Sequence, residues 1–234
     1  MFYQFHKRLI TLLLLSVLSL GNFGFVRSSP VVLNDWPDYS NPGLYDVLEL
    51  SQKGLDKEVF KKAIAGWNQL KKYDQLENSA LLSIVDLSQS CNSKRLYVID
   101  MNKKTVCFTT YVSHGRGSGE EFAYTFGNAP DSYKSSLGFY VTGSSYIGSH
   151  GLSMKLKGLE TGTNNLAELR GIVMHGASYV SEDFIQKNGR LGRSLGCPAV
   201  PEKECAAIVN KIKEGSCFFI FYPDSAYLRN SAFL

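Results

Sequence analysis

The apolar positions of this chain change period twice. Leu9–Leu20 is a twelve-residue run without charge, placed behind Lys7 and Arg8. A positive start before a short apolar stretch is the pattern of a secretory signal, and Ser19 with Gly21 offers a small-x-small site for cleavage after Gly21. Continued through Val26, the apolar segment reaches about 18 residues, the lower limit for crossing a bilayer. Residues 1–29 therefore read as an export signal or, uncleaved, as a membrane anchor. Either places the body in the periplasm or cell envelope. Prolines 30, 37 and 42, with Asn and Asp among them, make 30–43 an extended linker. Helical spacing follows: Val59, Phe60, Ala63, Ile64, Trp67 and Leu70 fall on one stripe, with Leu55 and Phe60 flanking an Asp56 N-cap. A helical preface over 44–80, packed on the main core, is expected.

From Leu81 the pattern shortens to β-branched and aromatic runs. Strands are expected at 81–86, 95–100, 105–112, 137–142, 170–175 and 216–222, the second and third joined as a hairpin through Met101–Lys104. Ser181–Lys187 and Glu202–Glu214 read as helices, closed by Gly189 and Gly215. The expected fold is mainly β with inserted helices (α+β), its β-rich domain spanning 81–228. No repeat of 20–50 residues is visible.

Composition narrows the function. The 234 residues are 44% hydrophobic and 20% charged, with 21 Gly and 7 Pro, which excludes a disordered or fibrous chain. The net charge of +4 is misleading. Three of the 25 basic residues and no acid lie in 1–29, leaving 22 against 21, a net +1. A near-neutral body lacks the electrostatic footprint of a nucleic-acid binder.

The chemistry gathers around one of five cysteines. Cys197 sits in Gly189-Arg-Leu-Gly-Arg-Ser-Leu-Gly-Cys-Pro-Ala-Val-Pro201. Gly196 allows close approach of a ligand, and Pro198 fixes the backbone on the other side. A thiol on a rigid turn suits acyl transfer: the sulfur attacks a carbonyl, and the amides of Gly196 and Cys197 can meet the oxyanion. A thiol of ordinary pKa is only a few per cent ionised at neutral pH, so it needs a base. His175 ends the apolar run Gly171-Ile-Val-Met-His175, a rigid mount, and Gly176 leaves room beside the ring.

His175-Gly176 followed by Ser194-Leu195-Gly196-Cys197-Pro198 resembles the active-site signature of the YkuD-type L,D-transpeptidases. The match is closer to the murein L,D-transpeptidase catalytic-domain subgroup, whose signature runs like Gly-Arg-Leu-Gly-Arg-Ser-x-Gly-Cys-Pro-Ala. Further segments carry it: Ile84–Asp86, Arg95–Asp100, Tyr133–Tyr140, Gly148–Gly158 and Arg170–Val180. The resemblance spans roughly Leu44 to Tyr222. It implies a YkuD-like β-sandwich or barrel catalytic domain, and thioester chemistry on peptidoglycan stem peptides, cleaved at a meso-diaminopimelate–D-Ala unit. By the same resemblance Cys197 is the nucleophile and His175 the base, oriented through its other ring nitrogen by a backbone carbonyl. Gly196 and Cys197 furnish oxyanion donors, and Ser194 shapes the turn. Leu195 stands where the wider family commonly has His.

Other residues have weaker claims. Arg193 flanks the nucleophile and suits a stem-peptide carboxylate, with a salt bridge as the alternative for it as for Arg190 and Arg170. Tyr140, Ser135, Ser136, Gly176 and His150 are candidate groove residues. His114, His150 and His175 each precede a glycine, yet no metal-ligand spacing joins them, so neither metal nor other cofactor is expected. Cys91–Cys107 and Cys205–Cys217 are the local disulfide pairings, and free thiols are preferred to either. Water as acceptor would make the same site an L,D-carboxypeptidase. A non-catalytic wall-binding module is the reading from another class.

Overall fold

The computed structural model describes residues 42–234. The export or anchor segment and all but the last two residues of the linker lie outside these. Among the described residues no helix is long and apolar enough to cross a membrane. Pro42, assigned by pattern to the linker, instead opens a short helix, α1 (Pro42–Val47). Proline suits a first helical position, where its missing N–H has no intrahelical acceptor and its φ is already set.

Helix α2 (Lys57–Lys72) starts where the sequence places it. The Asp56 carboxylate accepts from Glu58 N–H at 2.7 Å and from Val59 N–H at 3.3 Å, pairing donors that a helix start leaves open. Val59, Phe60, Ala63, Ile64, Trp67 and Leu70 are all buried. Gly66 lies among them, and α2 comes so near the sheet that a methyl group there would overlap the Phe139 ring.

Eight strands form one sheet: β1 (Leu81–Asp86), β2 (Leu96–Asp100), β3 (Thr105–Thr110), β4 (Gly138–Gly148), β5 (Gly151–Gly158), β6 (Val173–Ala177), β7 (Ala199–Pro201) and β8 (Cys217–Phe221). Their order is β3-β2-β1-β8-β4-β5-β6-β7. The β1–β8 and β6–β7 pairs are parallel and the rest antiparallel. The two ends of this row meet through the chain that follows β3. Ser113 N–H donates to Ala199 O at 2.8 Å, Ser194 N–H to His114 O at 3.0 Å, and Arg116 N–H to Ser194 O at 2.8 Å. The sheet is thus nearly closed, like a barrel, with α3 (Glu182–Asn188), α4 (Glu202–Ile212) and α5 (Ser225–Asn230) inserted late. Phe139 stacks on Phe219 at 4.1 Å in the core shared by sheet and helices.

The α+β architecture follows the sequence expectation, with three local differences. β4 runs on to Gly148, and β5 and β7 are strands the pattern did not single out. Gly, Ser and Lys crowd the β4 extension and β5, and β7 is only three residues long, so pairing with neighbours decides their conformation over intrinsic preference. β6 begins at Val173, because Arg170 and Gly171 belong to the preceding turn.

Candidate active site

The turn before β7 is closed by one hydroxyl. Ser194 Oγ accepts from Gly196 N–H at 3.1 Å and donates to Cys197 O at 2.6 Å. Gly196 adopts φ +126°, and a side chain there would stand 2.9 Å from Lys134 O and 3.2 Å from the Arg170 guanidinium. Glycine is required on both counts. Cys197 is half-buried, its sulfur 3.5 Å from Val173 N–H and 3.7 Å from Gly171 O. β6 and β7 run parallel with His175 opposite Ala199. Cys197 therefore lies alongside Val173, two positions before His175. Burial pushes the Cys197 thiol above its ordinary pKa, against the opposing pull of Val173 N–H and Arg170. It is a thiol at neutral pH and needs a base before it can attack.

His175 is buried on β6, and its Nδ1 lies 2.9 Å from Gly176 O. A carbonyl oxygen only accepts, so Nδ1 carries the hydrogen and Nε2 keeps its lone pair. Burial holds the ring below the usual histidine range; the Gly176 carbonyl opposes this and His150 adds to it. His150 projects from the β4–β5 turn and stacks on His175, with centroids 4.5 Å apart and planes inclined by 23°. The sulfur makes its hydrogen bonds to Val173 N–H at the start of β6 and to Gly171 O in the turn before it, and none to the ring among the described residues.

The structure redistributes the other candidates. Gly196 N–H is taken by Ser194 Oγ, while the N–H groups of Leu195 and Cys197 have no acceptor among the described residues. Tyr140 does not reach a groove: it is wholly buried and its hydroxyl donates to Ser136 O at 2.9 Å. Gly176 does not open space beside the imidazole; a Cβ there would meet Cys205 at 3.0 Å and Glu202 of α4 at 3.1 Å. Arg193 is not a free carboxylate receptor. It donates to Glu120 at 2.6 Å and to Gly119 O at 3.0 Å, while Arg190 reaches the other Glu120 oxygen at 2.8 Å. Ser135 Oγ accepts from Gly115 N–H at 3.0 Å, and Ser136 Oγ donates to Gly127 O at 2.7 Å, so both brace loops. Leu195 stands 58% exposed beside the turn. All five cysteines are free thiols.

Arg170 behaves differently from the other two arginines. It donates to Lys134 O at 2.6 Å and Gly127 O at 3.0 Å, and no carboxylate pairs with it among the described residues. Its charge thus remains available to the sulfur beside it. Two further groups escaped sequence reasoning. Glu120 clamps both flanking arginines, and buried Arg95 donates to His114 Nδ1 at 2.8 Å. His114 Nε2 then faces Gly119 O at 3.3 Å. With both nitrogens engaged inside the protein, His114 is no partner for the other two histidines. Among the described residues no His, Cys, Asp and Glu group is arranged to hold a metal. The sole advance signal was the His114-Gly115 pair; the Arg95 contact spans 19 residues and leaves no local mark.

The family model for the L,D-transpeptidase catalytic domain matches residues 51–221. The chain belongs to that family. The matched span holds all eight strands, α2, Cys197 and His175, so the L,D-transpeptidase domain takes in the α2 helix. Among solved structures, an L,D-transpeptidase from Mycobacterium smegmatis is 11% identical with TM-score 0.37, over 61% of this chain and 59% of that one. One from Mycobacterium tuberculosis H37Rv is 14% identical, with TM-score 0.36 over 61% and 58%. The helical cell shape determining protein Pgp2 from Campylobacter jejuni is 15% identical, with TM-score 0.40 over 62% and 49%. The chain thus spans under two thirds of the length of these relatives. No curated protein matches it.

Proposed function

We propose that the protein is an exported peptidoglycan L,D-transpeptidase working through a thioester on Cys197. The observation that carries this reading is the contact of His175 Nδ1 with the Gly176 carbonyl. The Nδ1–H is committed to Gly176 O at 2.9 Å, so Nε2 is the basic nitrogen, two strand positions from the cysteine. Sulfur–imidazole hydrogen bonds often tighten only when substrate is bound, and rotation about the Cα–Cβ bond of Cys197 moves the sulfur off the β6 backbone. The thiol proton passes to His175 Nε2 as sulfur attacks the carbonyl of the diaminopimelate–D-Ala bond. The tetrahedral oxyanion meets Cys197 N–H, with Arg170 adding positive charge nearby. The carbon–nitrogen bond breaks, the leaving D-Ala nitrogen takes the proton from His175, and the thioester remains. An amine acceptor then displaces the sulfur to form the new amide.

Intact mass after exposure to a tetrapeptide donor tests this directly. The expected product is an adduct of the tripeptide acyl group that Cys197→Ala cannot form. Removal of the base in His175→Gln should slow its formation by about 10²–10⁴-fold. Release of free tripeptide without any cross-linked product would make the enzyme an L,D-carboxypeptidase. Sacculus binding that survives Cys197→Ala, with no adduct in the parent protein, would leave only a wall-binding module.

A further inference from the structure

His150 has no use in the acylation just described, yet the fold sets it against the one ring that has. It sits at an exposed turn between β4 and β5, makes no hydrogen bond among the described residues, and lays its ring over His175 at 4.5 Å. His175 is buried and has one nitrogen committed to Gly176 O, so it can hold one transferable proton. Hydrolysis of a thioester needs no more: one base takes a proton from water and returns it to sulfur. Aminolysis is more demanding. An alkyl amine has a pKa of about 10, so at neutral pH the acceptor arrives as an ammonium ion. It must lose one proton to expose its lone pair and a second as the amide forms.

From this geometry we infer that His150 is a second base of the site, deprotonating an alkylammonium acceptor and thereby favouring amide formation over hydrolysis. The inference rests on the thioester reading above. In the step, the ammonium gives a proton to His150 and its nitrogen attacks the thioester carbonyl. The new carbon–nitrogen bond forms, the second nitrogen proton passes to His175 Nε2, and the carbon–sulfur bond breaks. His175 returns its proton to the thiolate, and His150 releases its own to water on the exposed side. Thioester and ammonium become amide, thiol and one solvent proton. Two stacked imidazolium ions would repel, so the outer ring must discharge to solvent before the next turnover.

The test is made on preformed acyl-enzyme, by the ratio of aminolysis to hydrolysis. His150→Phe keeps a flat ring over His175 and removes the base. With a diaminopimelate-bearing peptide as acceptor, the ratio should fall about 10²-fold. With hydroxylamine, which is already unprotonated at neutral pH, it should change by no more than about twofold. His150→Ala should show the same acceptor dependence, and added imidazole should restore part of its loss. Equal loss with both acceptors would reduce His150 to a groove-shaping residue and overturn the inference, as would no loss with either. Absence of any acyl-enzyme in the parent protein would remove the thioester reading, and this one with it.

Discussion

At His114 a proton has no place to bind. Nδ1 accepts from Arg95 and Nε2 faces Gly119 O, and burial with the neighbouring guanidinium depresses the ring to about 4. In the unfolded chain the same ring titrates near 6.5. Between those values the unfolded state binds more protons than the folded one, so stability rises with pH across that window. The loss on acidification from about 6.5 to 4 is roughly 3 kcal/mol from this residue. Urea unfolding over that range should therefore be flatter in His114→Gln, even though its stability at neutral pH is lower. Residue by residue, the sequence marked Cys197 and His175 because both sit in constrained local settings. It misread Tyr140 and Gly176, and left Arg193 between a substrate carboxylate and a salt bridge; the neighbours of Gly176 and Arg193, Cys205 and Glu120, come from other segments. A side chain's direction is set by those neighbours, and no local pattern records them.

Among the elements, α2 was the most legible, because its N-cap and its apolar stripe agree. Gly66 within it was not. Alanine there should favour the helix by about 1 kcal/mol. The Phe139 ring blocks the gain, held between the α2 backbone, Phe219 at 4.1 Å and Phe233 at 5.5 Å. Overpacking of this kind costs about 1–3 kcal/mol, so Gly66→Ala should lower the denaturation midpoint despite its better propensity. Phe139→Leu in the same chain should recover part of the loss, as a double-mutant cycle would register. The β4–β5 hairpin was hidden for a different reason. Its strands gain their order from β8 and β6 on either side, and its turn carries the His150 ring to the site.

For the whole molecule, the decisive contact is between chain ends of the sheet. Residues 113–116 lie along 194–199 and bring the Cys197 turn beneath a loop that Glu120 ties down through Arg190 and Arg193. Glu120 is exposed, and exposed ion pairs contribute about 0–1 kcal/mol. Glu120→Ala should therefore barely shift global unfolding. Hydrogen exchange at Arg116 and Gly117, whose N–H groups donate to Ser194 O and Tyr133 O at 2.8 Å, should quicken as the loop opens locally. Unchanged exchange there would mean that the backbone bonds hold the loop alone. The sequence by itself determined the elements with strong periodicity and the α+β class, and it marked the constrained settings of Cys197 and His175, because period, caps and glycine-rich turns act over a few residues. Only the tertiary structure decided which arginine keeps an uncompensated charge by the sulfur, that the Gly196 amide is taken by the Ser194 hydroxyl, and that a second imidazole covers the first. The first and last of those outcomes depend on pairings between strands distant in the chain, where burial and hydrogen-bond satisfaction are settled together.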